Sequence, residues 1–374
     1  MNNMKKFQIN NWLVKSVGFL LVILLTISCN KDVPAPVPIE FPVGSGSSIG
    51  ELITTNPDYS LLKTAVTRAG LMDALSNKNS VYTLFAPNNA AFGRIGITTD
   101  AQINGLPLTT LVPLIQYHVI GQKYASTAIP DSFPNAQLPT LFILPAPNTS
   151  PFVRMSIFPS RRGASAFVNN IPITTADIQV ANGVIHNVFV PVFPPTRVLA
   201  DTLSRDTSFS FLMAAIGRAD LGLPAGAKFS ELLANPVLNF TVFAPNNNAF
   251  RALYTALGLP PNASSINLVP IPTVIGIVAY HVHIKDNKPP TIGSVQPFTG
   301  SRAFSVNLPT VPTPINTWLK VVLAPNPAPP LVVNATPPAS VKGFANATAS
   351  NIIAVDRHCV NGVYHVIDQV LLPQ

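Results

Sequence analysis

Six histidines occur in the chain, and four form two matched pairs. His118 and His281 each follow a tyrosine, Tyr117 and Tyr280, while His186 and His365 each stand four residues after the asparagine of an Asn-Gly-Val run. Imidazole is the side chain best placed for proton transfer or metal ligation near neutral pH. A metal site of the zinc type needs three or four convergent ligands at short spacings. Each repeat instead offers two widely separated imidazoles and no carboxylate cluster, so the pattern favours a structural role in which a neutral ring donates from one nitrogen and accepts at the other. Asn89 and Asn247 are the expected partners. His281-Val282-His283 is the one local arrangement with metal-binding character, because two imidazoles two residues apart share a strand face.

The candidate nucleophiles are no better supported. Cys359 follows His358 directly, and neighbours on a strand point to opposite faces, which argues against a thiol–imidazole pair. Gly46-Ser47-Ser48-Ile49-Gly50 spells a nucleophile elbow, yet it lies in a Gly/Ser stretch with no strand before it. No acidic pair recurs in both repeats, so a glycosidase-type dyad has no basis. Arg218-Ala219-Asp220 reads as the end of an amphipathic helix. The expectation is no catalytic residue, no metal and no cofactor.

The elements that carry these residues are written twice. Tyr82-Thr83-Leu84-Phe85-Ala86-Pro87-Asn88-Asn89-Ala90-Ala91-Phe92 returns 158 positions later as Phe240-Thr241-Val242-Phe243-Ala244-Pro245-Asn246-Asn247-Asn248-Ala249-Phe250, followed in each copy by the Tyr-His pair and the Asn-Gly-Val run. Three landmarks in one order set a tandem of two units. Within each, the β-rich run before Ala-Pro predicts a strand, and Asn88 or Asn246 then predicts an N-cap opening a helix. Apolar residues from Ile49 to Leu75 fall at helical spacings, and Leu108–Tyr117 and Val269–Tyr280 predict helices that deliver the Tyr-His pair to the next strand. Short β-like runs follow at 153–158, 166–173, 178–180 and 184–190. Helices first and strands later indicate an α+β class. The second unit holds 80 residues between His281 and Asn361 against 64 between His118 and Asn182, and its Pro- and Asn-rich excess at 309–338 predicts a long surface loop.

Of the 374 residues, 10% are charged, 47% are apolar and 39 are proline, which suits an extracytoplasmic globular chain. The formal charge of +8 includes Lys5, Lys6 and Lys15; without them 20 basic residues face 15 acidic ones, and Arg161-Arg162 is the only basic pair. No continuous electrostatic footprint for nucleic acid is present. Residues 1–28 read as a lipoprotein signal peptide, with the apolar run 17–25 ending at Thr26-Ile27-Ser28-Cys29, and Cys29 as the lipidated residue. With Cys29 committed to lipid, Cys359 has no partner for a disulfide. Residues 29–48 read as a Pro/Gly/Ser-rich tether.

The three landmarks in this order resemble the fasciclin (FAS1) domain family, across nearly all of the expected mature chain. The resemblance implies two tandem FAS1-like domains, 49–195 and 196–374, each a wedge-shaped β-sandwich with short helices packed at one edge. It also implies adhesion and contact with matrix or polymer rather than catalysis. The family has Thr-Asp after Ala-Pro where this chain has Asn88-Asn89 and Asn246-Asn247; the cap survives, but a carboxylate that could pair with His186 or His365 is missing there. Asp177-Ile178 stands where animal members present an Asp-Ile dipeptide to integrins, with Asn351-Ile352 as its second-unit counterpart, and reads as the ordinary family pattern. The expected function is a lipid-anchored cell-envelope protein, of the outer membrane and surface-exposed, that binds a protein or polysaccharide partner. The alternative is an accessory module that captures a small molecule, lipid or glycan for an uptake system.

Overall fold

A computed structural model describes residues 45–131, 136–144, 153–284, 302–319 and 329–374. Cys29, the expected leader and most of the expected tether lie outside the described residues. Ser48 does not belong to a tether. Its side chain accepts from the Glu51 N–H while the Glu51 carboxylate accepts from the Ser48 N–H, a reciprocal capping box that opens α1 (Ile49–Thr55). The hydroxyl of the apparent nucleophile elbow is therefore a helix cap.

In the first half, α1 is followed by α2 (Ser60–Arg68) and α3 (Met72–Ser76). Leu61, Leu62, Ala65 and Val66 form the buried stripe of α2 and recur at helical spacing. Next come β1 (Tyr82–Pro87), α4 (Asn89–Gly93), α5 (Asp100–Gly105), α6 (Leu108–Tyr117) and β2 (Val119–Ile120). The strands β3 (Leu138–Ile143), β4 (Arg154–Ile157), β5 (Pro159–Arg162), β6 (Ser165–Val168), β7 (Ile171–Val180) and β8 (Gly183–Val188) complete the sheet, in the order β4-β3-β2-β1-β8-β7-β6-β5. β1 and β8 pair in parallel, with Leu84 opposite Ile185, and the other pairs are antiparallel. β4 and β5 stand at the two ends of that order, yet only Phe158 separates them in the chain. The sheet therefore folds over on itself, and Leu138, Ile157, Val168 and Val188 from distant strands fill one core between its limbs.

The second half repeats the plan with α7 (Leu199–Arg205), α8 (Ser210–Asp220), α9 (Phe229–Ala234), β9 (Phe240–Pro245), α10 (Asn247–Ala256), α11 (Ile271–Tyr280) and β10 (Val282–His283). β11 (Thr313–Ile315), β12 (Leu331–Asn334), β13 (Ser340–Lys342), β14 (Ser350–Cys359) and β15 (Gly362–Ile367) follow, ordered β10-β9-β15-β14-β13-β12-β11. A bridge between His283 and Thr317 brings the two ends of this sheet together. The fold is α+β with two tandem FAS1-like units. Two expectations change. The stretch 309–338 is not all loop, because β11 and β12 lie in it, although 320–328 falls outside the described residues. The run at 178–180 is not a separate strand but the end of ten-residue β7, which Asp177 interrupts with a bulge.

Each half has its own apolar core, and a small cluster of Phe158, Phe304 and Val363 joins them.

Candidate functional site

His118 caps the C-terminus of α6. Its Nδ1 lies 2.7 Å from the Leu114 carbonyl one turn back, and its Nε2 accepts the Val192 N–H at 2.8 Å. The second contact assigns the tautomer: Nε2 is bare, so Nδ1 carries the proton and donates. His281 repeats the arrangement at the end of α11, with the Ile277 carbonyl at 2.8 Å and the Leu371 N–H at 2.9 Å. Burial pushes both imidazoles down to about 4. Because His281 ends a helix rather than sharing a strand with His283, the two rings do not converge, and His283 Nδ1 meets the Asn316 carbonyl at 2.6 Å. Among the described residues no group of three His, Cys, Asp or Glu side chains could hold a metal ion.

His186 and His365 use the opposite tautomer. The Asp177 N–H donates to His186 Nδ1 at 3.1 Å and the Asp356 N–H to His365 Nδ1 at 3.4 Å, while the Nε2 atoms face the Tyr124 and Ala303 carbonyls at 2.8 and 2.9 Å. Both aspartates sit at bulges with φ 61°, a left-handed conformation that Asp tolerates better than most residues. Their carboxylates turn to matched serines: the Ser126 N–H reaches Asp177 at 2.8 Å, the Ser305 N–H reaches Asp356 at 2.6 Å, and both hydroxyls donate as well. Three expectations are corrected here. The second-unit counterpart of Asp177-Ile178 is Asp356-Arg357, since both aspartates stand five residues before the Asn-Gly pair, and Asn351 instead binds Asp368. The histidines do have a neighbouring carboxylate, supplied by the bulge and not by the segment after Ala-Pro. Their partners are backbone groups, not Asn89 or Asn247.

Those asparagines hold the helices. Asn88 and Asn246 accept from the Ala91 and Ala249 N–H groups at 2.9 and 3.0 Å, capping α4 and α10. Asn89 accepts from the Leu61 N–H and donates to the Pro57 carbonyl and Ser60 hydroxyl; Asn247 makes the same three bonds to Phe211, Thr207 and Ser210. Tyr117 donates to the Ser156 carbonyl and accepts from Asn169, and Tyr280 donates to the Pro330 carbonyl and accepts from the Phe344 N–H. Ile178 is partly buried against the first core. Asn182 and Asn361 are a repeated clamp that sequence reasoning left unassigned. Each accepts from the first residue of its half's leading helix, Ile49 or Leu199, and donates to two carbonyls at the strand entry, Leu75 and Asn77 or Leu233 and Asn235.

Sequence reasoning also missed Arg302, which lies between the halves. It is 4% exposed; its Nε donates to Asn239 at 2.7 Å, its Nη atoms reach the Cys359 and Val360 carbonyls at 3.1 and 2.9 Å, and Nη1 stands 2.7 Å from His358 Nε2. Phe158 of the first half lies under the guanidinium at 4.5 Å and packs on Phe304. Asn239 donates to Gln137 across the junction, as Asn170 does to Asp356 and Arg162 to the Ser305 and Leu308 carbonyls. Desolvation lowers Arg302 to about 10 and, together with the facing guanidinium, holds His358 well below the usual imidazole range. Burial pushes the Cys359 thiol up, and its sulfur contacts the Thr202 hydroxyl, not His358.

The sequence model of the Fasciclin domain matches residues 57–190. That stretch is a fasciclin domain. Since the second half repeats its caps, clamps, bulge and histidine bonds, the chain carries a tandem pair of fasciclin-type units. Periostin of Homo sapiens is 28% identical over 208 residues, which is 55% of this chain and 22% of that one. Transforming growth factor-beta-induced protein ig-h3 of Sus scrofa is 29% identical over 139 residues, 37% of this chain and 18% of that one. Protein sll1483 of Synechocystis sp. is 25% identical over 152 residues, 40% of this chain and 76% of that one. The chain thus spans about a fifth of the length of the two animal relatives. The solved FAS1 domain pair from the insect cell adhesion molecule Fasciclin I aligns with a TM-score of 0.35 at 17% identity, covering 83% of this chain and 95% of that one. Among the described residues no helix is long and apolar enough to cross a membrane.

Proposed function

We propose that this fasciclin protein acts by contact, as an adhesion or polymer-binding module of a cell envelope, held to the membrane by lipid on Cys29 and binding a protein or polysaccharide at the surface. One observation carries the reading: the side chains that both halves share, the imidazoles, amides and bulge carboxylates, are spent on bonds that hold the fold, inside their own half except where Asn170 reaches Asp356 across the junction. What the fold presents outward is of another kind. Along β14 alternate residues face out, and Ile353 and Val355 are 53% and 41% exposed, while Phe193 is 54% exposed on the first half. Exposed apolar groups of this sort favour association over chemistry, and two linked modules add avidity when both engage one polymer.

The test uses intact cells carrying the full chain. Brief protease treatment is expected to remove it from intact cells, and the purified chain is expected to bind saturably to at least one polysaccharide or matrix protein on an immobilised array. Full protection in intact cells with cleavage only after lysis, or an array without saturable binding, overturns the proposal.

A further inference from the structure

The second half departs from the first at α10. This helix runs 10 residues where α4 has 5, so Tyr254 stands where the first half turns away at Gly96, which has φ 82°. The extension supplies Leu253, Tyr254 and Leu257 to one side of a cavity of about 280 Å³, with Gly276, Ile277 and Leu319 among its other walls. Among the described residues no charged side chain lines it. Its volume is nearly twice the ~150 Å³ void that admits benzene and approaches the lower end of ordinary ligand pockets, about 300 Å³.

Two features of the walls lack a packing explanation. Tyr254 is fully buried, and among the described residues its hydroxyl has no hydrogen-bond partner. A buried polar group left unpaired costs about 1–3 kcal/mol, and natural interiors rarely keep one without a use. Gly276 lies inside α11, where glycine costs about 1 kcal/mol relative to alanine. A Cβ there would touch only a Leu319 methyl at 3.8 Å, so close packing does not require glycine. The first leaves an unspent hydroxyl on a residue of the chamber wall, and the second leaves space beside it.

We propose that this cavity binds a compact, uncharged, apolar molecule whose single oxygen acceptor takes the Tyr254 hydroxyl. The described walls offer a carboxylate no counter-charge, which favours a neutral ligand. The site is independent of the contact surface, so either proposal can fail alone.

Benzophenone is a suitable probe, being apolar, neutral and ketonic, with diphenylmethane as its carbonyl-free analogue. Equilibrium dialysis with the full chain is expected to show saturable 1:1 binding of benzophenone. Tyr254→Phe should weaken that binding about 3- to 10-fold, the worth of one neutral hydrogen bond, leave diphenylmethane unaffected, and keep or raise the Tm. Gly276→Leu should abolish binding of both. Irradiation of the bound ketone should label peptides within 247–257 or 271–280. No saturable binding of benzophenone, equal effects of Tyr254→Phe on both compounds, undiminished binding to a folded Gly276→Leu chain, or labelling confined to other peptides overturns the proposal.

Discussion

A histidine whose two ring nitrogens both end on backbone groups serves the fold only while it is neutral. All six histidines are shifted below their ordinary value, with desolvation the largest cause in each, and His118, His281 and His283 fall to about 4. The unfolded chain protonates these groups once pH drops below about 6.5, whereas the folded chain resists until about 4. Their contribution is complete above 6.5 and is lost as pH falls through that window, with the unfolded state taking up the protons. Each fully buried histidine in this class corresponds to roughly 3 kcal/mol. Tm followed by circular dichroism should therefore drop steeply between pH 6.5 and 4. His118→Gln should lower Tm at pH 7 and flatten the profile; a pH-independent Tm would contradict this. The recurrence of the four histidines was plain in the sequence, but their partners were not, because a backbone carbonyl four residues back leaves no side-chain signature. Asp356 was hidden for a different reason. Ile178 is replaced by Arg357, so matching the dipeptide rather than the five-residue spacing to Asn-Gly picked the wrong pair.

Elements were legible where a single residue type determines a boundary. Asn88 and Asn246 announced α4 and α10 because a short amide after Ala-Pro satisfies first-turn N–H groups. Asn246→Ala should cost about 1 kcal/mol by chemical denaturation, and Asn246→Asp should restore most of it; an unchanged midpoint in the alanine variant would show that the cap is dispensable. The parallel contact of β1 with β8 was not legible, since it depends on pairs about 100 residues apart in the chain, such as Tyr82 with Gly183. Gly183 records that contact in retrospect: a Cβ there would lie 1.8 Å from the Tyr82 carbonyl oxygen, at φ 147°. The long second-half connection read as loop because prolines obscure the alternation of β11 and β12, which are short and pair with each other.

At the scale of the molecule, the join between the halves forms where the repeats differ. The Tyr124 and Ala303 carbonyls receive matched histidine bonds, so Arg302 and Phe304 occupy the places of Lys123 and Ala125. A search for repetition passes over such positions. Phe158→Ala should remove the plug beneath Arg302 and leave both cores intact. Small-angle scattering should then report a larger radius of gyration and limited proteolysis a new cut between the halves; an unchanged radius would mean that the polar bonds alone suffice. Under the proposed function the shared residues hold the fold and exposed surface makes the contact. Binding titrations on the surface polymer or protein selected by the array separate these two roles, comparing the full chain with Ile353→Ser/Val355→Ser and with His186→Gln at neutral pH. The surface variant should lose at least tenfold in affinity, about 1.4 kcal/mol, at unchanged Tm, while the folded histidine variant should keep its affinity. Affinity lost in His186→Gln at wild-type Tm, with the surface variant unaffected, would contradict the proposed function.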